Sequence, residues 1–215
     1  MAPILHIMRH GQGYHSEAVS SEGHRIRDPY LTPKGEEQCV ERRNTFDRHE
    51  KVELLLASPL RRALQTCALS FEPAVNRGLQ IVALPMAEEA SDAPCDTGSE
   101  VEVLKREFPQ VDFDHLSHGW FVHEGEYAID PASLNLRAAK LRRFIRDRPE
   151  REIVLVSHGF FNHYLTGDVN DLGEQTTPWW KETELRTYSF IDGDNLAMIK
   201  ETEESILRRG TFPTS

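Results

Sequence analysis

"ILHIMRHGQGYHS" (Ile4–Ser16) begins as a continuous apolar run and stops abruptly at Arg9-His10-Gly11. Far downstream, "EIVLVSHG" (Glu152–Gly159) repeats the pattern, an apolar run that ends in His158-Gly159. Runs of this kind read as strands buried on both faces of a parallel sheet. In open parallel sheets, ligands bind beyond the carboxyl ends of the strands, near a topological switch point. Two strands that both end in His-Gly place two imidazoles at one such crevice. The glycines Gly11 and Gly159 let the backbone turn sharply and come close to a bound group.

The segments between these strands follow an alternating order. Thr32-Pro33 reads as the cap and first residue of a helix through Gln38, Val40 and Phe46. "VELLLAS" (Val52–Ser58) is a second buried strand, and Ser58-Pro59 opens a helix through Leu64 and Leu69. "LQIVALP" (Leu79–Pro85) is a third strand. Ser99 and Glu102 have capping-box spacing for a short helix ending near Pro109. Asp130-Pro131 opens a longer helix with Leu134, Ala138, Leu141 and Ile145 on one face. "RTYSFID" and "NLAMIKE", around Gly193-Asp194, read as a terminal hairpin. Alternation of strands and helices predicts an α/β fold: a three-layer α/β/α sandwich with a mostly parallel central sheet. No linker or repeat divides the chain, so residues 1–215 are expected to form one domain, loosely ordered from about residue 203.

A net charge of −10 argues against nucleic acid or an anionic membrane as partner, and requires any anion site to be built locally. No apolar stretch is long enough to span a bilayer, and no secretory signal is evident. Cys39, Cys67 and Cys95 have no metal-type spacing, which fits a reduced, cytoplasmic setting. Trp179 and Trp180 are expected to pack as core or pocket wall, and Trp120 and Phe121 as core or substrate-pocket lining. His115, His118 and His123 are read as scattered surface histidines in preference to a metal cluster.

"SPLRRALQT" (Ser58–Thr66) puts Arg61 and Arg62 in the first turn of a helix, where cations oppose the macrodipole. A bound anion reverses that cost, because helix N-termini and arginines both favour phosphate. One arginine of the pair is a candidate ligand and the other a solvated side chain. With two arginines and two histidines at one sheet edge, the residues point to phosphoryl chemistry: arginine to hold oxygens, a neutral imidazole to attack phosphorus.

Arg9-His10-Gly11, with "LTPKGEEQ", "SPLRRALQT" and "VSHG" in that order, resembles the histidine phosphatase superfamily, also called phosphoglycerate mutase-like. The resemblance runs from Leu5 to about Ile199. "ASDAPCDTGSE", "KETELRTYSF" and "ETEESILRRG" look most like small fungal members. The resemblance implies that His10 is the nucleophile that becomes phosphohistidine. It implies Arg9 and Arg61 on the phosphoryl oxygens, His158 donating beside them, and Gly159 within phosphate contact. The acid lies after the third strand, where Glu88 and Glu89 compete. Similar sequences carry it three residues before the Asp of an "SD" pair, which favours Glu89, with Asp92 a weaker option. An asparagine common in the family is replaced here by "QGYHS", so Ser16 or His15 is expected to take over that contact.

The activity so implied is a metal-independent phosphomonoesterase without a cofactor, acting on a phosphorylated small molecule. The alternatives are a phosphoglycerate mutase and a phosphate-dependent binding module with little turnover. "AEEASDAP" carries no arginine to grip a second anionic group, which weighs against the mutase. Specificity is expected to lie between Glu100 and Tyr127, where no motif names a ligand.

Overall fold

The computed structural model describes residues 2–210. Its sheet has seven strands: β1 (Ile4–Arg9), β2 (Leu54–Ala57), β3 (Ile81–Ala83), β4 (Val111–Asp112), β5 (Glu152–Ser157), β6 (Leu185–Phe190) and β7 (Ile199–Glu201). They lie in the order β4-β3-β2-β5-β1-β6-β7. The first five positions in that order are mutually parallel, and β6 and β7 add an antiparallel edge. Seven helices are present among the described residues: α1 (Pro33–Thr45), α2 (Arg61–Ser70), α3 (Glu72–Asn76), α4 (Val101–Glu107), α5 (Pro131–Arg146), α6 (Gly159–Thr166) and α7 (Glu203–Arg209).

The strand sequences explain the layers. Successive strand side chains point to opposite faces. Met8, Leu55, Ala57, Val154 and Val156 pack on one side with Leu60, Leu64, Cys67 and Leu104 of the α2–α4 region. Leu5, Ile7, Leu54, Leu56, Ile153 and Leu155 pack on the other with Leu134, Ala138, Leu141 and Ile145 of α5 and Phe161 and Leu165 of α6. Both faces are covered, which is why these strands read as unbroken apolar runs rather than alternating ones.

Caps account for two of the helix starts expected from the sequence. Thr32 accepts from the Gly35 N–H at 3.0 Å, and Asp130 accepts from Ala132 and Ser133, each at 3.1 Å. Two expected caps are not made. Helix α2 starts at Arg61 after Leu60, and Ser58 Oγ contacts His158 Nε2 at 2.7 Å. Ser99 does not cap α4; its Oγ accepts from Arg61 at 2.6 Å, and α4 follows Glu100. In both cases the shorter bond is to a partner distant in sequence; Ser58 Oγ keeps only a 3.4 Å contact from the Leu60 N–H. Residues 203–209, expected to be loose, form α7, capped by Thr202 Oγ1 on the Ser205 N–H, with Ser205 buried against β6 through its bond to the Thr187 N–H. The expected fraying of "GTFPTS" (210–215) lies, beyond Gly210, outside the described residues.

Register fixes the site. Arg9 pairs with Ser157 across β1 and β5, and Ala57 pairs with Val156 across β2 and β5. His10, Ser58 and His158 therefore leave three adjacent strands side by side. The chain reaches β2 from β1 and later returns to place β5 between them, so this is where the strand order reverses.

Candidate active site

His10 is 2% exposed and lies beside His158, with ring centroids 5.0 Å apart. Its Nδ1 is 2.7 Å from the Gly11 carbonyl oxygen, and its Nε2 is 3.2 Å from Arg62 Nε. A carbonyl only accepts and a guanidinium only donates, so these partners assign the proton to Nδ1 and the lone pair to Nε2. Burial first, then Arg62, His158, His15 and Arg9, hold His10 well below the ordinary imidazole pKa. The imidazole is thus neutral with its free nitrogen facing the cations. His158 is set by the same logic: Arg62 donates to Nδ1 at 3.1 Å, leaving Nε2 to donate to Ser58 Oγ. Burial and then Arg62 depress its pKa strongly as well.

The arginine between the two histidines is Arg62, not Arg61. Arg62 is 1% exposed and is further held by Asp96 Oδ1 and the Cys95 carbonyl, each at 2.6 Å. Arg61 turns the other way. Its guanidinium reaches Glu107 at 2.7 and 2.9 Å, Asp28 Oδ2 at 3.2 Å and Ser99. Successive helical residues point about 100° apart, so only one of the pair can face the crevice. Asp28 also accepts the Arg61 N–H at 2.9 Å, placing a carboxylate at the α2 N-terminus and compensating the two first-turn cations.

Arg9 crosses the start of α6 and donates to the Trp180 carbonyl at 2.5 Å. A side chain at Gly159 would set its Cβ 3.2 Å from Arg9 Nε, tighter than ordinary packing, so the glycine leaves room for this crossing. His15 stands 5.3 Å from His10, ring to ring, and burial with Arg62 and Arg9 pulls its pKa to about 3. Ser16 is half-buried, and its backbone N–H closes a turn on Gly13 O at 3.0 Å.

The two glutamates separate. Glu89 places its carboxylate at the start of α6, accepting from Phe161 N at 2.8 Å, Phe160 N at 3.2 Å and Ala90 N at 3.1 Å. Burial and then Asp96 raise its pKa, against the pull of the amides and Arg62. Glu88 is fully buried, but its Oε2 lies 3.5 Å from His123 Nε2. Asp92 turns outward to His123 Nδ1 at 2.9 Å. Trp180 is in the core, Trp179 is exposed, and Trp120 is buried with its Nε1–H on the Ser99 carbonyl. No group of three or more potential metal ligands occurs among the described residues, and no described helix is long and apolar enough to cross a membrane.

The family resemblance pointed to Arg61 where the structure brings Arg62 to the two histidines, and the sequence did not single out Asp96 or Ser58 as partners of the site. Asp96 lies in the quoted "PCDTG" stretch, but nothing in its spacing shows that it turns back onto α2.

A mostly parallel α/β sheet with paired His-Gly strand ends defines the class. The sequence model of the histidine phosphatase superfamily (branch 1) matches residues 5–195, and the chain belongs to that family. Within it the protein is an enzyme of the phosphatase kind. A probable phosphatase of Schizosaccharomyces pombe is 29% identical over 160 residues, covering 72% of this chain and 73% of the relative. A phosphoglycerate mutase-like protein of Arabidopsis thaliana is 27% identical over 237 residues, covering 89% and 86%. The fold matches a mycobacterial glucosyl-3-phosphoglycerate phosphatase with a TM-score of 0.58 at 17% identity, covering 94% of this chain and 97% of that one. It also matches the phosphoserine phosphatase of Entamoeba histolytica with a TM-score of 0.56 at 19% identity, covering 94% and 95%.

Proposed function

We propose that the protein hydrolyses small phosphomonoesters through a phosphohistidine on His10. The observation that carries this reading is the contact of His10 Nε2 with Arg62 Nε at 3.2 Å, beside the His158 ring and within electrostatic reach of Arg9, with Glu89 facing Arg62 and Arg9 in turn. A phosphoryl group entering there takes over the Arg62 donors, since charge-assisted bonds to phosphate oxygens are stronger than the bond to a neutral imidazole. The Nε2–P bond forms as the ester P–O bond breaks, and protonated Glu89 gives its proton to the leaving alkoxide. Water then attacks phosphorus, Glu89 takes its proton, and the N–P bond breaks to release phosphate and restore His10. Charge compensation comes from Arg9 and Arg62, so catalysis rests on positioning and electrostatics.

The substrate class is a phosphorylated metabolite with an alkoxide leaving group, in keeping with structural neighbours named for phosphoserine and for glucosyl-3-phosphoglycerate. The segment Met86–Gly98 beside the pocket contains no arginine or lysine to hold a second anionic group, which favours hydrolysis over mutase transfer. The test is phosphate release from p-nitrophenyl phosphate and a panel of phosphomonoesters in EDTA, with rapid-quench detection of acid-labile phosphohistidine. Release and label that both vanish in His10→Ala support the reading; label on another residue, or release that survives His10→Ala, would sink it.

A further inference from the structure

Behind the pocket lies a set of buried charges that the reaction does not use. Arg137 of α5 is 2% exposed, and its Nη2 donates to the backbone carbonyls of both Glu88 at 3.1 Å and Glu89 at 3.2 Å. The same guanidinium lies over the Phe161 ring, 4.3 Å from its centroid. Phe161 is the residue whose N–H makes the shortest bond to the Glu89 carboxylate, 2.8 Å. Arg137 therefore grips Glu89 from both sides, through its main chain and through the residue that holds its side chain.

A cation this deep needs a counter-charge. Glu88 is fully buried, its carboxylate oxygens have no hydrogen-bond partner among the described residues, and burial raises its pKa while its neighbours Arg137 and His123 favour the charged form against Asp28. His123, whose side chain is 4% exposed, meets Glu88 on one nitrogen and Asp92 on the other. Two adjacent glutamates thus face opposite ways, one into the pocket and one into a buried ion cluster with α5 and the 115–127 segment.

We propose that Arg137, with Glu88 as its buried counter-ion, is a positioning residue that holds Glu89 in line with the leaving oxygen. The proposal rests on the reading of Glu89 as general acid. A misplacement of about 1 Å at a reacting group costs on the order of 10²-fold, and loss of general acid help costs about 10²–10⁴-fold. Alkoxide leaving groups need that proton; p-nitrophenolate scarcely does. Loss of the acid, or of its position, is therefore selective for alkyl phosphates.

The experiment compares kcat/KM for p-nitrophenyl phosphate and for an alkyl phosphate that the wild type hydrolyses, phosphoserine or β-glycerophosphate. The variants are Glu89→Gln, Arg137→Met, Arg137→Lys, Glu88→Gln and the Glu89→Gln/Arg137→Met double. Glu89→Gln should lose at least ~10²-fold more on the alkyl ester than on the aryl ester. Arg137→Met should show a selective loss of roughly 10–100-fold, with smaller losses of the same kind in Arg137→Lys and Glu88→Gln. In the double variant the Arg137 change should add no further selectivity. Equal losses on both esters across the Arg137 and Glu88 variants, or selectivity that multiplies in the double, would overturn the proposal. If Glu89→Gln is itself unselective, the reading of Glu89 as acid fails first and the proposal falls with it. Should Arg137→Met fail to fold, Arg137→Lys and Glu88→Gln carry the comparison.

Discussion

The Nε–H of Arg62 points at Nε2 of His10 across 3.2 Å, so the cation sits on the atom assigned to attack. The contact keeps the imidazole neutral and oriented, and under the proposed reaction it also sets the arginine where phosphoryl oxygens would arrive.

The two arginines of the pair should therefore respond differently to replacement. Arg62→Ala is expected to lower kcat/KM by ~10²–10³-fold, as for loss of a donor that meets developing negative charge. Arg62→Lys should not restore it, because the three donors of a compact ammonium cannot span the four acceptors that the planar guanidinium reaches, His10, His158, Asp96 and the Cys95 carbonyl. Arg61→Ala should act mainly on stability, by about 1.5–3 kcal/mol, through its bonds to Asp28, Ser99 and Glu107. Steady-state kinetics and thermal melts of the two variants check this; the reverse ranking in kcat/KM would return the ligand role to Arg61.

The pH profile should be limited on its alkaline side by Glu89. Burial and Asp96 raise that carboxyl, and the first step needs it protonated, so kcat/KM for an alkyl phosphate should fall as pH rises through the raised pKa. His10 is depressed well below 6.5, so it stays neutral and imposes no limb near neutrality. An acidic to neutral optimum is expected, and a rate still climbing above pH 9 would contradict Glu89 as the acid.

Stability in acid depends on the buried histidines. His10, His15 and His158 all have depressed pKa values in the fold, His15 at about 3. Below 6.5 the unfolded chain takes up protons that the folded chain refuses, so stability should be full above that pH and lost as pH falls toward 3. Urea melts between pH 7 and 4 report this. His15→Asn should flatten the dependence; an unchanged slope would mean that the burial of His15 is not maintained in solution.

Gly35 in α1 backs directly onto the loop that carries the nucleophile. A Cβ there would lie 2.1 Å from the Gln12 carbonyl oxygen, closer than any contact can be. Gly35→Ala should displace Gln12, two residues from His10, costing about 1–3 kcal/mol of stability and lowering kcat. Thermal melts and kinetics of this variant test it, with Gly78→Ala, where the added Cβ meets nothing but φ is positive, as a strained surface control.

Much of this arrangement was legible along the chain. Strand ends at Arg9-His10-Gly11 and Ser157-His158-Gly159 show their register partnership because both are apolar runs cut off by the same dipeptide. Asp130-Pro131 marks α5 because capping is a local event, settled within three residues. Ser58 and Ser99 mislead for the converse reason: each has local capping chemistry, but each is used by a residue 100 or 38 positions away.

What the sequence by itself determined is the α/β layering, the two histidines at one sheet edge and the family to which their motifs belong. Those follow from burial patterns and from short segments whose backbone has few choices. Which arginine of the pair faces the histidines was decided only by the tertiary structure, and so was the opposite facing of the two glutamates, of which the motif spacing had favoured Glu89. Arg61 and Arg62 differ by about 100° of helical phase, and Glu88 and Glu89 by the two-sided alternation of extended backbone. Local geometry gives neighbours so related equal claims, and distant partners fix which way each one faces. Here Asp28 and Glu107 draw Arg61 outward, Asp96 draws Arg62 inward, His123 and Arg137 surround Glu88, and the α6 amides receive Glu89.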